Sequence, residues 1–258
     1  MLPDLPNFRD VGGLASGELR PGSVFRSSEL TSPDTAVHDA LVSLGVSQVF
    51  DLRTLPEAQA QPDVLPESVA ITSLDVMADV AEDGASAIAA VFAHAADRSD
   101  VAALSAGLGG GQGHRLMEEA YAELVGLPSA HRAYRSLLLG IAENPGANVM
   151  HCTAGKDRTG WGAAVIQMLA GADSDHVAEH YLESNEAWTD SFTTIIGEFE
   201  QAGGDPQALG DILWVRPAYL QSAFDAVESI YGSFHGYASK GLGLQPDQVR
   251  QLQLRLMD

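Results

Sequence analysis

The sequence predicts an α/β fold in which helices flank a mostly parallel central sheet. Three apolar runs, at residues 46–53, 70–74 and 147–150, have the length and composition of buried strands. Helical patterns separate these runs, and strands that alternate with helices are typical of parallel sheets. With 258 residues and a hydrophobic content of 45%, the chain is long enough to form one large domain, residues 1–258.

Local signals predict the remaining elements. Residues 24–26 are expected to form a short strand after a turn at residues 19–22, within a hairpin that ties down the N-terminus. Helices are predicted over residues 34–44, 114–125, 129–142 and 159–170, the last of them closed by a glycine cap at Gly171. Later helices begin near Ser174, Pro217 and Pro246, and residues 188–213 are predicted to form a helical pair.

Residues 75–113 differ in composition from their surroundings. They are rich in alanine and glycine, begin with acidic residues and contain one helical pattern near residues 85–96. The glycine run at residues 107–113 lacks G-x-G-x-x-G spacing and follows no strand, so it is predicted to be a flexible connector and not a nucleotide loop. We interpret this segment as an insertion between the sheet and the next helix.

Charge and composition exclude several classes of protein. The formal net charge of -21 argues against nucleic acid and anionic membrane surfaces as partners. A single cysteine excludes an intramolecular disulfide and favours a reducing compartment. No apolar run approaches the roughly 20 residues of a transmembrane helix, and the chain does not open with a signal-peptide pattern. The expected location is therefore the cytoplasm, or outside the cell after export without a recognisable signal.

The most informative stretch joins the strand at residues 147–150 to the helix that begins at Thr159. Cys152 and Arg158 enclose a loop of the form C-x5-R, and its backbone N–H groups lie at the helix N-terminus. Helix dipole, backbone donors and a guanidinium together form a binding site for a phosphate dianion. The expected phosphate-binding residues are Thr153, Ala154, Gly155, Lys156, Asp157 and Arg158.

The same field is expected to keep Cys152 as a thiolate near neutral pH. A thiolate beneath a bound phosphoryl group is placed for in-line attack and for a phosphocysteine intermediate. Thr159 is expected to donate its hydroxyl to the sulfur, and His151 to support the cysteine through backbone hydrogen bonds. No metal or other cofactor is required, because preorganised donors stabilise the charge.

The run His151-Cys152-Thr153-Ala154-Gly155-Lys156-Asp157-Arg158-Thr159-Gly160 resembles the signature of the cysteine-dependent protein-tyrosine-phosphatase superfamily. It is most similar to a bacterial, largely actinobacterial branch whose members also accept phosphoinositides, and residues 7–13 and 19–28 resemble the opening of that branch. The resemblance implies a phosphotyrosine-phosphatase-like fold, a phosphorylated protein or phosphoinositide as substrate and inorganic phosphate as product. It also implies activity on phosphoserine and phosphothreonine, and a helical lid over the site at about residues 188–213. Lys156 makes the loop resemble those of phosphoinositide phosphatases.

The general acid is left open by the sequence. A leaving phenolate needs a proton, normally from an aspartate on a separate loop, and the chain has no Trp-Pro-Asp loop. Asp79 aligns best with the acid proposed in similar enzymes; Asp157, inside the loop, and Asp75, at a strand end, are the alternatives. Arg26 or Ser27 is a further candidate to approach the phosphate. Asp51 and Arg53 are expected either to border the site or to form an ion pair.

Two other functions compete with this interpretation. His176, Glu179 and His180 match H-x-x-E-H, which on a helix places two imidazoles on one face and is typical of zinc metallopeptidases. The motif is short and leaves the Cys152 loop unexplained, and bound zinc would favour it. The other alternative is a catalytically inactive phosphate-binding module, which would require a damaged general acid.

Overall fold

The computed structural model describes residues 5–12, 19–31, 34–80 and 100–257. The strands in these ranges are β1 (Arg9–Asp10), β2 (Val24–Ser27), β3 (Val46–Asp51), β4 (Ala70–Ser73) and β5 (Ala147–His151). The helices are α1 (Thr35–Ser43), α2 (Leu55–Ala60), α3 (Val101–Leu108), α4 (Gln112–Gly126), α5 (Pro128–Glu143), α6 (Arg158–Leu169), α7 (Ser174–Gln201), α8 (Pro206–Leu213), α9 (Pro217–Tyr231), α10 (Phe234–Gly236) and α11 (Pro246–Leu256), with a π-helical turn (Tyr237–Gly241) after α10.

The strands form one mixed sheet in the order β1-β2-β5-β3-β4. β1 pairs with β2 in an antiparallel manner, and all other pairs are parallel, which confirms the predicted sheet. β5 lies in the centre, and its last residue, His151, is in register with Ser27 of β2 and Asp51 of β3. Because the parallel strands end at the same edge, the segments that follow them meet around Cys152.

Successive side chains of the central strands enter two separate apolar clusters. Phe25, Val49 and Val149 pack on the face that α1 covers, whereas Phe50 and Met150 join the larger cluster formed by the helices on the other face. This alternation is the period of two that a strand imposes. With both faces covered, the central strands are buried, which explains their continuous apolar composition.

Two predicted elements differ in the structure. The strand predicted over residues 46–53 ends at Asp51, and a short helix that was not predicted, α2, follows Thr54. The predicted helical pair at residues 188–213 is the second half of a 28-residue helix, α7, followed by α8. Asp173 caps the start of α7, and the left-handed residues nearest to the helix, Gly171 (φ 94°) and Gly203 (φ 89°), lie outside it on either side.

The predicted insertion is described only in part. Residues 75–80 follow β4, and residues 100–113 contain α3, a glycine turn and the start of α4. The glycine connector predicted over residues 107–113 is therefore shorter than expected and consists of the turn at residues 109–111. The helix predicted near residues 85–96 lies outside the described residues. Within the described ranges, no helix combines the length and the apolar character that crossing a bilayer would require.

Candidate active site

The predicted phosphate loop runs from the end of β5 to the start of α6. Cys152 follows His151 and is 2% exposed, and Arg158 is the first residue of α6. Gly155 has a positive φ of 68°, and a Cβ at that position would lie 2.1 Å from the carbonyl oxygen of Ser27. Only glycine fits this turn, because both its conformation and its approach to β2 exclude a side chain.

The carbonyl groups of the loop are held from outside. The carbonyl of Thr153 accepts a hydrogen bond from the Glu29 amide at 3.1 Å. The Ala154 carbonyl accepts from the side chains of Trp188 (3.0 Å) and Asn7 (3.2 Å). The Gly155 carbonyl accepts from the side chains of Asn7 (2.8 Å) and Arg26 (2.6 Å). Because each peptide unit is planar and trans, a carbonyl turned outward turns the next N–H group the other way. In the described parts of the chain, the amides of residues 154–157 donate to no acceptor. The loop therefore presents a row of available donors at the N-terminus of α6.

Arg26 is the candidate from β2 that reaches the loop. Its guanidinium is completely buried and donates to the carbonyl of Gly155 at 2.6 Å and to the hydroxyl of Ser184 at 3.2 Å. Ser27 contributes its backbone, which packs against Gly155. Asn7 and Trp188 hold the loop in the same way but were missed, since neither residue type signals such a contact in the sequence.

Glu57 is the charged residue that the sequence analysis missed at this site. Its carboxylate accepts two hydrogen bonds from the Arg158 guanidinium, at 2.6 and 2.9 Å, and one from the Thr153 hydroxyl at 2.7 Å. Burial raises the pKa of Glu57, but the bonds and charge of Arg158 outweigh it and lower this pKa to about 2. Glu57 also completes a capping box with Thr54 at the start of α2. The pattern Thr54-Leu-Pro-Glu57 was therefore the signal available in the sequence.

Lys156 turns away from the loop towards the helices that follow α6. Its ammonium donates to the carbonyl of Ile212 at 2.8 Å, lies 3.3 Å from the Asp157 carboxylate and stands 6.0 Å from the centre of the Phe192 ring. The side chain is 9% exposed. Lys156 thus joins the loop to α7 and α8, and these two helices are the part of the chain predicted to cover the site.

The three aspartates proposed as general acid have different surroundings. Asp157 accepts from the Tyr121 hydroxyl at 2.8 Å. Asp79 is bound by Arg132 through both carboxylate oxygens, at 3.0 and 2.8 Å. Asp75 accepts from the amides of Leu55 and Met77, so that it holds the start of α2 and its own turn. Of the three, Asp157 alone belongs to the loop that contains Cys152.

Behind the cysteine lies a network of charges. His151 is fully buried; its Nδ1 donates to the carbonyl of Cys152 at 3.2 Å, and its Nε2 lies 3.1 Å from the carboxylate of Asp63. The predicted support of Cys152 by His151 stays a prediction. The Arg53 guanidinium donates to the carboxylates of Asp51 (2.9 Å) and Asp63 (2.8 Å). Of the two alternatives for Asp51 and Arg53, bordering the site or forming an ion pair, the structure favours the ion pair.

Asp51, Asp63 and His151 are also the cluster of potential metal ligands found in the described part of the chain. Arg53 donates to both carboxylates of this cluster, and a guanidinium at that position opposes a second cation. Thr159 is fully buried as well, and its hydroxyl has no hydrogen-bond partner among the described residues. Its predicted donation to the cysteine sulfur stays a prediction.

The H-x-x-E-H motif does not bring its histidines together. His176 pairs with Asp173, the N-cap of α7, whereas the Nε2 of His180 donates to the carbonyl of Asp10 at 3.1 Å in the interior. Burial lowers the pKa of His180 to about 2, and the charges of Arg26 and Arg9 lower it further in the same direction. The two imidazoles have separate partners, and the motif is part of ordinary helix packing.

This burial of His180 predicts a pH dependence of stability. Its folded pKa is below the unfolded value of about 6.5, so the unfolded state binds the proton first and stability falls as the pH falls through the range from about 6.5 to 2. For one proton the slope is at most about 1.4 kcal/mol per pH unit. His180→Gln keeps a donor for the Asp10 carbonyl. Its free energy of unfolding, measured with urea from pH 7 to pH 5, should depend less steeply on pH than that of the wild type. His176→Gln, on the helix surface, is the control and should not flatten it; equal slopes for wild type and His180→Gln would contradict the prediction.

The chain is similar to known proteins over most of its length. A family model described as the tyrosine phosphatase family matches residues 1–258. The chain is 32% identical over 256 residues to the triple specificity protein phosphatase PtpB of Mycobacterium tuberculosis, covering 92% of this chain and 91% of that protein. It is 26% identical to a putative tyrosine-protein phosphatase of Cupriavidus necator (95% and 85% covered) and 28% identical to a tyrosine-protein phosphatase of Nostoc commune (92% and 75% covered). The match over the whole chain shows that it belongs to the tyrosine phosphatase family.

Proposed function

We propose that Cys152 is the nucleophile of this tyrosine phosphatase and that phosphotyrosine in proteins is its principal substrate. The observation that carries the proposal is the outward anchoring of the carbonyls of residues 153–156, which turns the amides of residues 154–157 away from those anchors. A phosphoryl group bound there lies at the helix N-terminus and above the cysteine. Hydrolysis of a phosphotyrosine peptide by wild type and by Cys152→Ser, with EDTA present, tests this assignment.

The reaction follows from these positions in two steps. The thiolate attacks phosphorus, the bond to the tyrosine oxygen breaks, and that oxygen takes a proton from an aspartic acid. Water then gives a proton to the same aspartate and attacks phosphorus, the phosphorus–sulfur bond breaks, and inorganic phosphate leaves. Cys152 is regenerated as a thiolate that the Thr159 hydroxyl stabilises, and the aspartic acid is restored for the next turnover. The amides and Arg158 hold the equatorial oxygens throughout, so that negative charge meets fixed donors in both steps.

Glu57 is assigned the task of orienting Arg158. It binds both terminal nitrogens of the guanidinium and the neighbouring Thr153 hydroxyl, and its own position is set by the capping box of α2. A guanidinium held in one plane loses less freedom when it binds phosphate, which favours the transition state. Glu57 therefore belongs to the machinery of the reaction although it touches no reacting atom.

Asp157 is the general acid that the contacts favour over Asp79, because it lies in the loop itself and Asp79 is engaged by Arg132. Asp157→Asn is expected to lower kcat on phenyl phosphate by about 10²-fold. The loss on 4-nitrophenyl phosphate should be much smaller, because 4-nitrophenolate leaves without a proton. Steady-state kinetics on the two esters is the measurement, and Asp79→Asn is the matched variant. If Asp79→Asn shows the difference between esters and Asp157→Asn does not, the acid is Asp79.

We extend the substrate range to phosphoserine, phosphothreonine and phosphoinositides. The name of the Mycobacterium tuberculosis relative, a triple specificity protein phosphatase, supports this breadth, and Lys156 is a cation inside the loop. To meet a second phosphate, the Lys156 ammonium has to exchange the Ile212 carbonyl for the ligand. Such an exchange couples recognition of a phosphoinositide to movement of α7 and α8, which act as a lid in this proposal.

Lys156→Ala tests that role. If Lys156 binds a second phosphate, kcat/KM for a soluble phosphoinositide headgroup with two phosphates should fall at least about ten-fold more than kcat/KM for phenyl phosphate. Lys156→Arg, which keeps the charge, is the control and should lose less on the headgroup. Equal losses on both substrates would instead assign Lys156 to its contact with Ile212 alone.

The remaining proposals concern organisation and location. Residues 1–258 are proposed to act as one phosphatase domain, since the family model spans them all. The expected partners are phosphorylated proteins or phosphoinositides, with nucleic acid disfavoured by the net charge of -21. A nucleophilic cysteine is inactivated by oxidation, which favours the cytoplasm or another reducing environment.

A further inference from the structure

Two buried tyrosines lie behind the carboxyl group of Asp157. The hydroxyl of Tyr121, in α4, donates to Oδ1 of Asp157 at 2.8 Å, and the hydroxyl of Tyr181, in α7, donates to the Tyr121 oxygen at 2.7 Å. Tyr121 is 2% exposed and Tyr181 is 1% exposed. Because a hydroxyl has one hydrogen, the bond that Tyr121 accepts from Tyr181 leaves its own hydrogen for Asp157. The two tyrosines therefore form a directed chain of hydrogen bonds that ends on one oxygen of the proposed acid.

The ring of Tyr121 is fixed by aromatic packing against two other helices. It meets the Tyr181 ring edge-on, with 6.1 Å between the ring centres, and lies 6.0 Å from the ring of Tyr219 in α9. Tyr219 is fully buried, and its own hydroxyl donates to the carbonyl of Asp211 at 2.8 Å. Packed rings of this kind have little freedom to move. The position of the Tyr121 hydroxyl is therefore set by α4, α7 and α9 together, and not by the loop that carries Asp157.

The second oxygen of Asp157 has different surroundings. Oδ2 lies 3.3 Å from the Lys156 ammonium, and the Asp157 side chain is 33% exposed. A carboxyl group that accepts a hydrogen bond at Oδ1 carries its proton on Oδ2. Around Asp157 the described residues contribute two loop cations and four tyrosines, namely Lys156, Arg158, Tyr121, Tyr134, Tyr181 and Tyr219. Burial raises the pKa of all four tyrosines, so they are neutral near pH 7 and Tyr121 stays a donor.

We propose that Tyr121 is a positioning residue for Asp157, which holds Oδ1 and thereby presents Oδ2 to the leaving oxygen. The proposal rests on the assignment of Asp157 as the general acid. In the first step Oδ2 gives its proton to the leaving oxygen, and in the second step it takes a proton from water; the bond from Tyr121 to Oδ1 persists in both. Lys156 favours the ionised carboxylate and a bound phosphoryl dianion favours the protonated form, so the two oppose each other while Tyr121 fixes the orientation.

Tyr121→Phe removes the hydroxyl and keeps the ring. The maximal kcat/KM for phenyl phosphate should fall about ten-fold, whereas that for 4-nitrophenyl phosphate, whose leaving group needs no proton, should change less than about two-fold. The variant also loses a bond that favours the ionised carboxylate, so the alkaline limb of the kcat/KM profile for phenyl phosphate should move up by about 0.5–1 pH unit. Tyr181→Phe should act in the same direction but less. Tyr219→Phe, which removes a buried hydroxyl bound to Asp211, is the matched control and should change neither readout.

Equal losses on the two esters, or an alkaline limb that does not move up, would overturn the proposal and assign Tyr121 to packing alone. If circular dichroism shows that Tyr121→Phe is unfolded, Tyr181→Phe decides by the same two readouts. Asp157→Asn, measured alongside, separates this proposal from the proposed function. If Asp157→Asn distinguishes the esters and Tyr121→Phe does not, the positioning role fails and the acid stands. If Asp157→Asn treats both esters alike, the assignment of the acid fails, and the positioning role fails with it.

Discussion

Replacing Cys152 by serine is expected to lower kcat for a phosphotyrosine peptide by at least about 10³-fold. A serine hydroxyl in the same position stays protonated at neutral pH. The variant therefore loses the nucleophile but keeps the amides and the Arg158 guanidinium that are proposed to bind phosphate. Phosphate release from the peptide, followed with equal amounts of both proteins, is the measurement. Because Cys152 is 2% exposed, the thermal unfolding midpoints of both proteins are compared as well, to show that the variant is folded at the assay temperature.

Two controls accompany this experiment. EDTA should leave the wild-type rate unchanged, since the amides of residues 154–157 and Arg158 supply the charge stabilisation in the proposed reaction. Inorganic phosphate should still protect Cys152→Ser against thermal unfolding, because its amide row is intact. A Cys152→Ser enzyme that retains more than a few per cent of the wild-type rate would contradict the assignment of the nucleophile.

Arg158→Lys should lower kcat/KM by about 10²–10³-fold, or about 2.7–4 kcal/mol of transition-state stabilisation. The lysine keeps a positive charge, but an ammonium cannot bind Glu57 and two phosphoryl oxygens with a planar fork. The contacts of 2.6 and 2.9 Å to Glu57 show how completely the orientation of the guanidinium is determined. Kinetics on a phosphotyrosine peptide is again the measurement.

Glu57→Gln distinguishes two roles of the carboxylate. If Glu57 orients Arg158, the variant should lose kcat, by about ten-fold, with little change in KM. If the carboxylate instead competes with phosphate for the guanidinium, KM should fall. In the double variant, Arg158→Lys should cost less than it does alone, because the two side chains form one unit. Additive losses would show that Glu57 does not act through Arg158.

The loop from Cys152 to Arg158 could be predicted because its chemistry is local in sequence. Strand, glycine, arginine and helix start lie within about ten residues, and the local geometry follows from their order. Glu57 shows the limit of such reasoning. It lies about a hundred residues before Arg158, and its capping box predicts a helix start, which says nothing of the guanidinium that the carboxylate binds.

Lys156 and the histidines of α7 show the same limit from the other direction. Lys156 lies in the predicted phosphate loop, yet its ammonium binds the carbonyl of Ile212 in α8. His176 and His180 have the spacing of metal ligands, but the packing of α7 buries one and leaves the other at the capped end of the helix. The spacing of residues along a helix determines which face of the helix a side chain lies on. The elements packed against that face determine which groups the side chain contacts.

The sequence by itself determined the class of fold, and it suffices to propose the nucleophile and the phosphate-binding loop, because apolar strand runs, a C-x5-R loop and a helix N-terminus are properties of neighbouring residues. Only the tertiary structure decided which distant groups complete the site: Glu57 on Arg158, Arg26 and Asn7 on the loop carbonyls, and Trp188 from α7. These contacts depend on the order of strands in the sheet, which places the ends of β2, β3 and β5 at one edge. The strand order arises from the packing of the whole chain, so no local sequence pattern identifies the residues that it brings together.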